Sequence, residues 1–303
     1  MITSDEVNLA ESIFTEAHKL YQSERFKESL DILESNVDML SDHYGKEEID
    51  RWVGGSYYYM ADHAKAVKHL ENSYIKVQAL SNENKIAHEF LILVTHLAVS
   101  YFELKKYSEA LRYFDEGEAL FALFKDSEHC FTRYTLRLYR SRCLRILERY
   151  KEAHKILKKA LKEISSATCD KIVGSDRACL LIDLAIVSKH LNKLRRAGKY
   201  IELINLSDLH ELQVAEYAFT KMLIDVSREK FERAAQCFQE YRESIDRSNY
   251  KAEAYCLMGV AQYCLSQPKS AEEYFRRSQE MKFTLSWVRE YNEHYLNEIS
   301  KES

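Results

Sequence analysis

Two arginines and a lysine near the middle of the chain are the residues whose type most directly suggests a binding chemistry. Arg142, Arg145 and Lys189 place positive charge in the middle of a chain whose formal net charge is −4. A guanidinium group can hold a carboxylate through two parallel hydrogen bonds. These residues therefore predict binding of an acidic or carboxylate-bearing segment, and the alternative interpretation is a solvated cationic face that binds nothing.

The sequence carries no signature of catalysis. It has no GxSxG, no Gly-rich phosphate loop and no HExxH motif. His63 and His69 are six residues apart, which puts them on different faces of a helix. We therefore predict a protein that is not an enzyme and that has no cofactor and no metal site. An enzyme would need a perturbed histidine or carboxylate, for which His18, His96 and Asp183 are the candidates.

The composition predicts an all-α protein. Apolar residues make up 46% of the 303 positions and charged residues 30%, which is ordinary for a chain with a packed core. There is one Pro and there are seven Gly. Sheets and turns use both residue types, whereas helix interiors exclude them.

Charge and hydropathy limit the classes of partner and the compartment. With a net charge of −4 there is no overall basic field, so we expect no direct binding of nucleic acid. No run of eighteen apolar residues occurs, so we expect no membrane insertion, and the acidic start of the sequence does not resemble a secretory signal. The seven cysteines have no CxxC pair and are interpreted as reduced thiols. These features predict a cytoplasmic protein.

An internal repeat with a period of roughly 40 residues organises the chain. Its reference position is small, and a large apolar residue, here called the apolar position, follows four residues later on the same helix face. The reference positions are Ser29, Ala66, Ala110, Ala153, Ala197, Ala234 and Ala271, and the apolar positions are Leu33, Leu70, Phe114, Leu157, Ile201, Phe238 and Phe275.

Two further positions recur before each reference position. Twelve residues earlier lies a position, here called the small position, that is small in six of the seven repeats and predicts close approach of two helices: Ala17, Gly54, Ala98, Ser141, Ala185, Met222 and Gly259. Nine residues earlier lies a bulky position that turns polar in the last three repeats: Leu20, Tyr57, Tyr101, Leu144, Ser188, Asp225 and Gln262. The first helix of each repeat is therefore less clearly marked toward the C-terminus.

These spacings resemble the tetratricopeptide repeat (TPR), and the third copy matches best, with Leu97, Ala98, Tyr101, Tyr107, Ala110 and Phe114. The resemblance implies a right-handed α-solenoid of about seven helix-turn-helix repeats in one domain over 1–303. The predicted repeats cover about 10–43, 47–80, 91–124, 134–167, 178–211, 215–248 and 252–285. A capping helix is predicted at about 286–299, with Trp287, Tyr291 and Tyr295 on one face.

The resemblance also implies a concave groove lined by the first helix of each repeat. In TPR arrays, the residues one and four positions after the small position commonly point into it. The groove residues implied in this way are His18, Tyr21, Gly55, Tyr58, Val99, Phe102, Arg142, Arg145, Ile186 and Lys189, with Arg51 one turn before Gly55. The Lys and Asn clamp of chaperone-tail binders is absent from the corresponding positions.

Two functions follow from the resemblance. The first is a non-enzymatic adaptor, scaffold or assembly factor that binds a segment of another protein or a peptide, with acidic groups, in its groove. The alternative is a peptide-responsive regulator that resembles the TPR part of bacterial peptide-pheromone receptors. The groove asparagines of those receptors are missing, and we expect no room for a preceding effector domain.

Overall fold

The computed structural model describes residues 4–80, 87–121, 130–166, 174–282 and 285–302. Within these ranges every regular element is a helix, which confirms the all-α prediction. The chain divides into two compact units, Met1–Leu147 (unit 1) and Glu148–Ser303 (unit 2). The boundary falls in the turn of the fourth predicted repeat, and a single domain over the whole chain stays a prediction.

Unit 1 consists of helices that pair along the chain. They are α1 (Ser4–Gln22), α2 (Phe26–Ser35), α3 (Val37–Tyr44), α4 (Lys46–Tyr59), α5 (His63–Leu80), α6 (Ala87–Glu103), α7 (Tyr107–Leu120) and α8 (Cys130–Ile146). Helices α1 and α2, α4 and α5, and α6 and α7 form the pairs. The short helix α3 was not expected within the first repeat, and its Leu40 is fully buried.

Unit 2 continues the pattern. Its helices are α9 (Tyr150–Ser166), α10 (Gly174–His190), α11 (Leu194–Glu202), α12 (Glu211–Ser227), α13 (Phe231–Glu240), α14 (Arg242–Asp246), α15 (Lys251–Cys264), α16 (Pro268–Gln279) and α17 (Trp287–Glu302). Helices α10 and α11, α12 and α13, and α15 and α16 form the pairs. The short helix α14 is a second addition to the pattern of two helices per repeat.

Close contact between the small and apolar positions holds each pair together. A Cβ atom added at Gly54 would lie 2.7 Å from Leu70 Cγ, and one added at Gly259 would lie 2.6 Å from Phe275 Cε1. Both distances are shorter than real contacts between side-chain atoms. The large side chain on the second helix therefore fits only because the glycine on the first helix has no side chain. In the first repeat, the hydroxyl of Ser29 donates to the carbonyl of Ala17 over 2.8 Å, which satisfies the polar reference residue.

Each pair turns through one residue with left-handed backbone geometry, five positions before the reference position. These residues are Glu24, Ala61, Lys105, Glu148, Asn192, Glu229 and Ser266, with φ between 56° and 61°. Glycine adopts this geometry without a steric penalty, but all seven residues carry a side chain. Every repeat therefore contains the same mildly strained turn.

The C-terminal helix α17 is the predicted cap, but its buried face differs from the prediction. Val288, Asn292 and Ile299 are buried, and Tyr295 stacks on Phe275 with ring centroids 5.2 Å apart. Tyr291 is 43% exposed, so the predicted stripe of Trp287, Tyr291 and Tyr295 is wrong at its centre. The cause is that Asn292, whose amide donates to Ser278 Oγ over 2.9 Å, takes an inward position despite its polarity.

Among the cysteines that the structure describes, one differs from the prediction; Cys169 lies outside the described residues. Cys143, Cys179, Cys237, Cys256 and Cys264 are free thiols, and three of the five are buried. Cys130 is disulfide-bonded, so the interpretation of all seven as reduced thiols is wrong there. Among the described helices, none is both long and apolar enough to cross a membrane.

The strained turn predicts opposite effects for two Ala→Gly changes that lie three residues apart. Ala61 has a φ of 59°, so Ala61→Gly removes the penalty and should raise the free energy of unfolding by about 1 kcal/mol. Ala64 lies in the first turn of α5, so Ala64→Gly should lower it by up to about 1 kcal/mol. Urea unfolding followed by circular dichroism measures both. Destabilisation by both changes to the same extent would contradict the role of the turn.

Candidate functional site

Four of the predicted groove residues meet in unit 1, where α1, α4 and α6 lie side by side. His18 and Tyr21 come from α1, and Arg51 and Tyr58 come from α4. Together with Trp52, Tyr59 and His96 they form a cluster that we call the aromatic pocket. It encloses a cavity of about 140 Å³, which is lined by Tyr21, Arg51, Trp52, Tyr59, Glu89 and His96 among others.

One wall of the aromatic pocket is built around Trp52. The rings of His18 and Tyr21 lie 4.6 Å and 5.0 Å from the Trp52 ring, measured between centroids. Tyr21 approaches α4 closely because residue 55 is glycine, since a Cβ there would lie 2.8 Å from the Tyr21 hydroxyl. Gly55 therefore allows the phenol to reach the pocket.

A second wall is formed by the adjacent tyrosines of α4, Tyr58 and Tyr59. Tyr58 stacks on His96 with centroids 4.1 Å apart, and Tyr59 stacks on Phe26 at 4.5 Å. Tyr59 is 49% exposed and its ring lies 5.7 Å from that of Tyr21. Both rings contact His96, Tyr58 by stacking and Tyr59 by its edge at 5.4 Å. Because Tyr59 is half exposed, this wall of the pocket is open to solvent.

Arg51 is the charged group of the pocket, and acidic side chains hold it. Its guanidinium contacts Glu48 at 2.5 Å and Glu89 at 3.4 Å, and it lies 5.1 Å from the Trp52 ring centroid. The indole nitrogen of Trp52 also donates to Glu48 over 2.8 Å. Because two carboxylates already neutralise Arg51, the pocket is mainly an aromatic site and Arg51 is a poor first contact for an acidic ligand.

Burial determines the protonation states of the histidine and tyrosine side chains in the pocket. His96 is 7% exposed, and burial, with a smaller effect of Arg51, lowers its pKa to about 3. The ring is therefore neutral at neutral pH, which suits stacking against Tyr58. Burial also raises the pKa values of Tyr21 and Tyr58, so both phenols stay protonated.

Phe102 and Arg142 both contact the ring of Tyr139, which forms a second aromatic cluster in unit 1. Phe102, on α6, meets Tyr139 of α8 edge to face with centroids 5.4 Å apart. The guanidinium of Arg142 lies 5.9 Å from the centre of the Tyr139 ring. The half-buried Arg145 is on the same helix, one turn later. Unit 1 thus contains seven of the eight predicted site residues.

Lys189 lies on α10 in unit 2 and is the eighth predicted residue. It is half-buried, and burial lowers its pKa. Across both units the residue four after the small position is half-buried in the first five repeats, as expected of a groove residue. The residue one after the small position is buried in three of them, at Gly55, Val99 and Ile186. Gly55 lines the cavity of the aromatic pocket, and the groove position of the other two stays a prediction.

The three residues proposed for an enzyme belong to different units. His18 and His96 border the aromatic pocket, whereas Asp183 is buried on α10 in unit 2. Among the described residues, no group of three or more His, Cys, Asp and Glu side chains could hold a metal ion.

Sequence reasoning missed Trp52, Tyr59 and Glu89 as members of the pocket. Trp52 and Tyr59 are seven residues apart, which is two helical turns, so both face the same side of α4. That spacing was a usable signal. No such spacing marks Glu89, because it lies on α6 and reaches the pocket through its ion pair with Arg51.

Comparison with solved structures finds helical-repeat proteins at low sequence identity. The apo form of RapI has a TM-score of 0.62 and 15% identity, covering 94% of this chain and 99% of that one. The apo form of the quorum sensor NprR from B. thuringiensis has a TM-score of 0.58 and 16% identity, covering 88% and 74%. A tetratricopeptide repeat protein from Parabacteroides merdae has a TM-score of 0.57 and 13% identity, covering 95% and 98%.

This chain has the tetratricopeptide repeat fold. The resemblance carried by the seven reference positions is thereby confirmed, as an all-α helical repeat solenoid. No protein-family model matches the sequence, and no curated protein matches it. The TPR fold explains why α1, α4 and α6, the first helices of consecutive repeats, can build one pocket.

The buried His96 predicts a pH-dependent contribution to stability. Its folded-state pKa of about 3 lies below the usual unfolded value of about 6.5, so between these values only the unfolded chain binds the proton. This contribution is fully present above about pH 6.5 and is lost as the pH falls. At pH 5 the loss from this residue should be about 2 kcal/mol.

His96→Phe keeps a ring against Tyr58 and removes the titrating group. The free energy of unfolding of this variant, measured in urea at pH 7 and pH 5, should therefore change less between the two pH values than that of the wild type. An identical pH dependence in the two proteins would show that His96 is not buried in the neutral form.

Proposed function

We propose that this protein is a cytoplasmic, non-enzymatic interaction module that binds a peptide segment of a partner protein at the aromatic pocket and along the neighbouring Phe102, Tyr139 and Arg142. The observation that carries the proposal is a ring-lined cavity that is open on the side of Tyr59, which is 49% exposed. Rings held in place by other rings lose little entropy on binding, which favours their use as contact surfaces.

The size of the cavity supports a single inserted side chain. Its volume of about 140 Å³ is close to that of the engineered cavity, about 150 Å³, that takes up benzene. One aliphatic or aromatic side chain of a partner would fill it. Burial of such an anchor contributes about 1.5–3 kcal/mol, so further contacts along the segment are required for useful affinity.

Charge supports acidic groups elsewhere on the same segment. Arg51 is held by Glu48 and Glu89. We propose Arg142 and Arg145 on α8 as contacts of the acidic groups, because both are cationic and half-buried. The contact of Arg142 with Tyr139 places a guanidinium beside an aromatic surface, where it can bind a carboxylate while the ring packs on the segment. Lys189 stays a proposed contact in unit 2.

The oxidation state of the cysteines supports the proposed cytoplasmic location. The free thiols at Cys143, Cys179, Cys237, Cys256 and Cys264 favour a reducing environment. The disulfide at Cys130 is the exception. We propose neither nucleic acid nor a membrane as partner.

A second candidate function is a peptide-responsive regulator. It is favoured by the likeness to the quorum sensor NprR, which covers 88% of this chain. The two functions differ in what binding does to shape. Small-angle scattering with and without a bound peptide separates them, because a regulator must change its radius of gyration, whereas a rigid adaptor keeps the same value.

Panning of a displayed library of random linear peptides tests the proposed function. We expect enriched peptides to share one large apolar residue near Asp or Glu. The variant Tyr59→Ala should weaken their binding at least tenfold, a loss of about 1.4 kcal/mol or more. Tyr291→Ala removes a tyrosine of similar exposure, 43%, from α17 and should leave the affinity unchanged.

The same peptides test the charge half of the site. Arg142→Glu/Arg145→Glu should weaken binding, and more strongly at low salt. Lys155→Glu/Lys158→Glu makes the same change in charge on exposed positions of α9 and is the matched control. Circular dichroism confirms that all variants are equally helical. Equal weakening by both charge variants, or no effect of Tyr59→Ala, would remove the site from unit 1.

A further inference from the structure

A second cavity lies in unit 2, between the second helix of the fifth repeat and both helices of the sixth. It has a volume of about 280 Å³ and is bounded by α11, α12 and α13. Ile201 and Ile224 provide apolar surface. The rest of the lining is polar, charged or glycine: Gly198, Glu202, Lys221, Asp225, Arg228, Arg233, Gln236 and Glu240. No part of the proposed function uses this cavity, which is twice as large as the aromatic pocket.

The repeat register explains why the cavity exists. Asp225 occupies the bulky position of the sixth repeat, where the second and third repeats have Tyr57 and Tyr101. Gly198 follows the reference position of the fifth repeat, where the first three repeats have Leu30, Val67 and Leu111. Two large side chains are therefore replaced by small ones in neighbouring helices. The Arg228 guanidinium takes up part of the space at residue 198, and the cavity lies where the tyrosines of the second and third repeats would reach.

In the second and third repeats, the tyrosine at the bulky position is held by two kinds of partner. The Tyr57 hydroxyl donates to Glu34 over 2.6 Å, and the Tyr101 hydroxyl donates to Glu71. Both glutamates lie on the preceding second helix, five residues after its reference position. A lysine covers each ring, with Lys65 Nζ 4.9 Å from the Tyr57 centroid and Lys106 Nζ 5.6 Å from that of Tyr101.

The sixth repeat keeps these partners but lacks the ring. Glu202 lies five residues after the reference position Ala197, and so corresponds to Glu34 and Glu71. Arg233 corresponds to Lys65, and Lys230 corresponds to Lys106. Within the described part of the chain, the side chains of Glu202 and Arg233 form neither a hydrogen bond nor an ion pair with another side chain.

We infer that this cavity binds a hydroxyphenyl group, whose ring fills the space of the missing tyrosine and whose hydroxyl donates to Glu202. Arg233 meets the ring as a cation against its π face, in the way Lys65 meets Tyr57. Ile201 and Ile224 pack on the ring. The group belongs either to a free phenol or to a tyrosine of another chain, and the two sources share this chemistry.

The charges of the cavity are compatible with a neutral aromatic ligand. Asp225 is 7% exposed, and burial raises its pKa against the opposing effect of Lys221, Lys230, Arg228 and Arg233. An aromatic ring presents a positive edge to carboxylates and a negative face to cations. A cavity of about 150 Å³ already accommodates benzene, so 280 Å³ leaves room for the hydroxyl and for water.

Binding of p-cresol, the tyrosine side chain as a free molecule, tests the inference. Isothermal titration and saturation-transfer NMR should show saturable binding to the wild type, and weaker binding of toluene, which lacks the hydroxyl. Asp225→Tyr restores the residue of the second and third repeats and should reduce p-cresol affinity at least tenfold. Asp31→Tyr makes the same change on the exposed face of α2 and should leave the affinity unchanged.

Gly198→Leu fills the cavity independently and should have the same effect. A Cβ at residue 198 would lie 2.4 Å from Arg228 Nη1, the end of a flexible side chain that can move away. Absence of saturable p-cresol binding to the wild type would overturn the inference. Undiminished p-cresol binding to Asp225→Tyr or Gly198→Leu would also overturn the inference, provided that circular dichroism shows the variant to be folded.

A tyrosine-containing tripeptide blocked at both ends distinguishes the two sources. Tighter binding of the tripeptide than of p-cresol supports a tyrosine of another chain, and the reverse supports a free phenol. Tyr59→Ala removes a wall of the aromatic pocket and should leave unchanged the part of p-cresol binding that Asp225→Tyr abolishes. The two sites can therefore fail or succeed independently.

Discussion

Close packing between a small residue on one helix and a large residue on the next is the constraint on which the structure depends. At Gly54 and Gly259 no side chain fits, because Leu70 and Phe275 occupy the space that a Cβ would take. This contact sets the distance between the two helices of a repeat. Each pair then packs its outer faces against neighbouring helices, as α5 does against α6 and α13 against α15.

The same spacing creates gaps that the repeats fill differently. In unit 1, Tyr57 and Tyr101 reach the preceding second helix and donate to Glu34 and Glu71. In the sixth repeat, Asp225 is too short to do so, and a cavity results. The bulky position is thus occupied by a packed tyrosine in the second and third repeats, whereas in the sixth repeat it borders a polar cavity. The arrangement of helices is the same in both cases.

The aromatic pocket has a related origin. Its rings come from first helices of consecutive repeats, and Gly55 allows Tyr21 to lie against α4. Because Tyr58 and Tyr59 are adjacent in sequence, one stacks on His96 and the other on Phe26. The two tyrosines of α4 therefore join it to α6 and α2. The resulting surface can hold one side chain of a partner by its shape, and other residues supply the polar contacts.

The sequence alone determined the helical class, the repeat period and the residues that hold each pair, because a buried helix face repeats locally and needs no knowledge of neighbours. From their register in the first helices it also predicted seven groove residues in unit 1, of which His18, Tyr21, Arg51 and Tyr58 meet at the aromatic pocket. Tertiary structure decided which rings meet, why Trp52 and Glu89 join the site, and that Asn292 rather than Tyr291 faces inward. Those outcomes depend on distances between helices that are far apart in sequence, and no periodicity within a single helix encodes them.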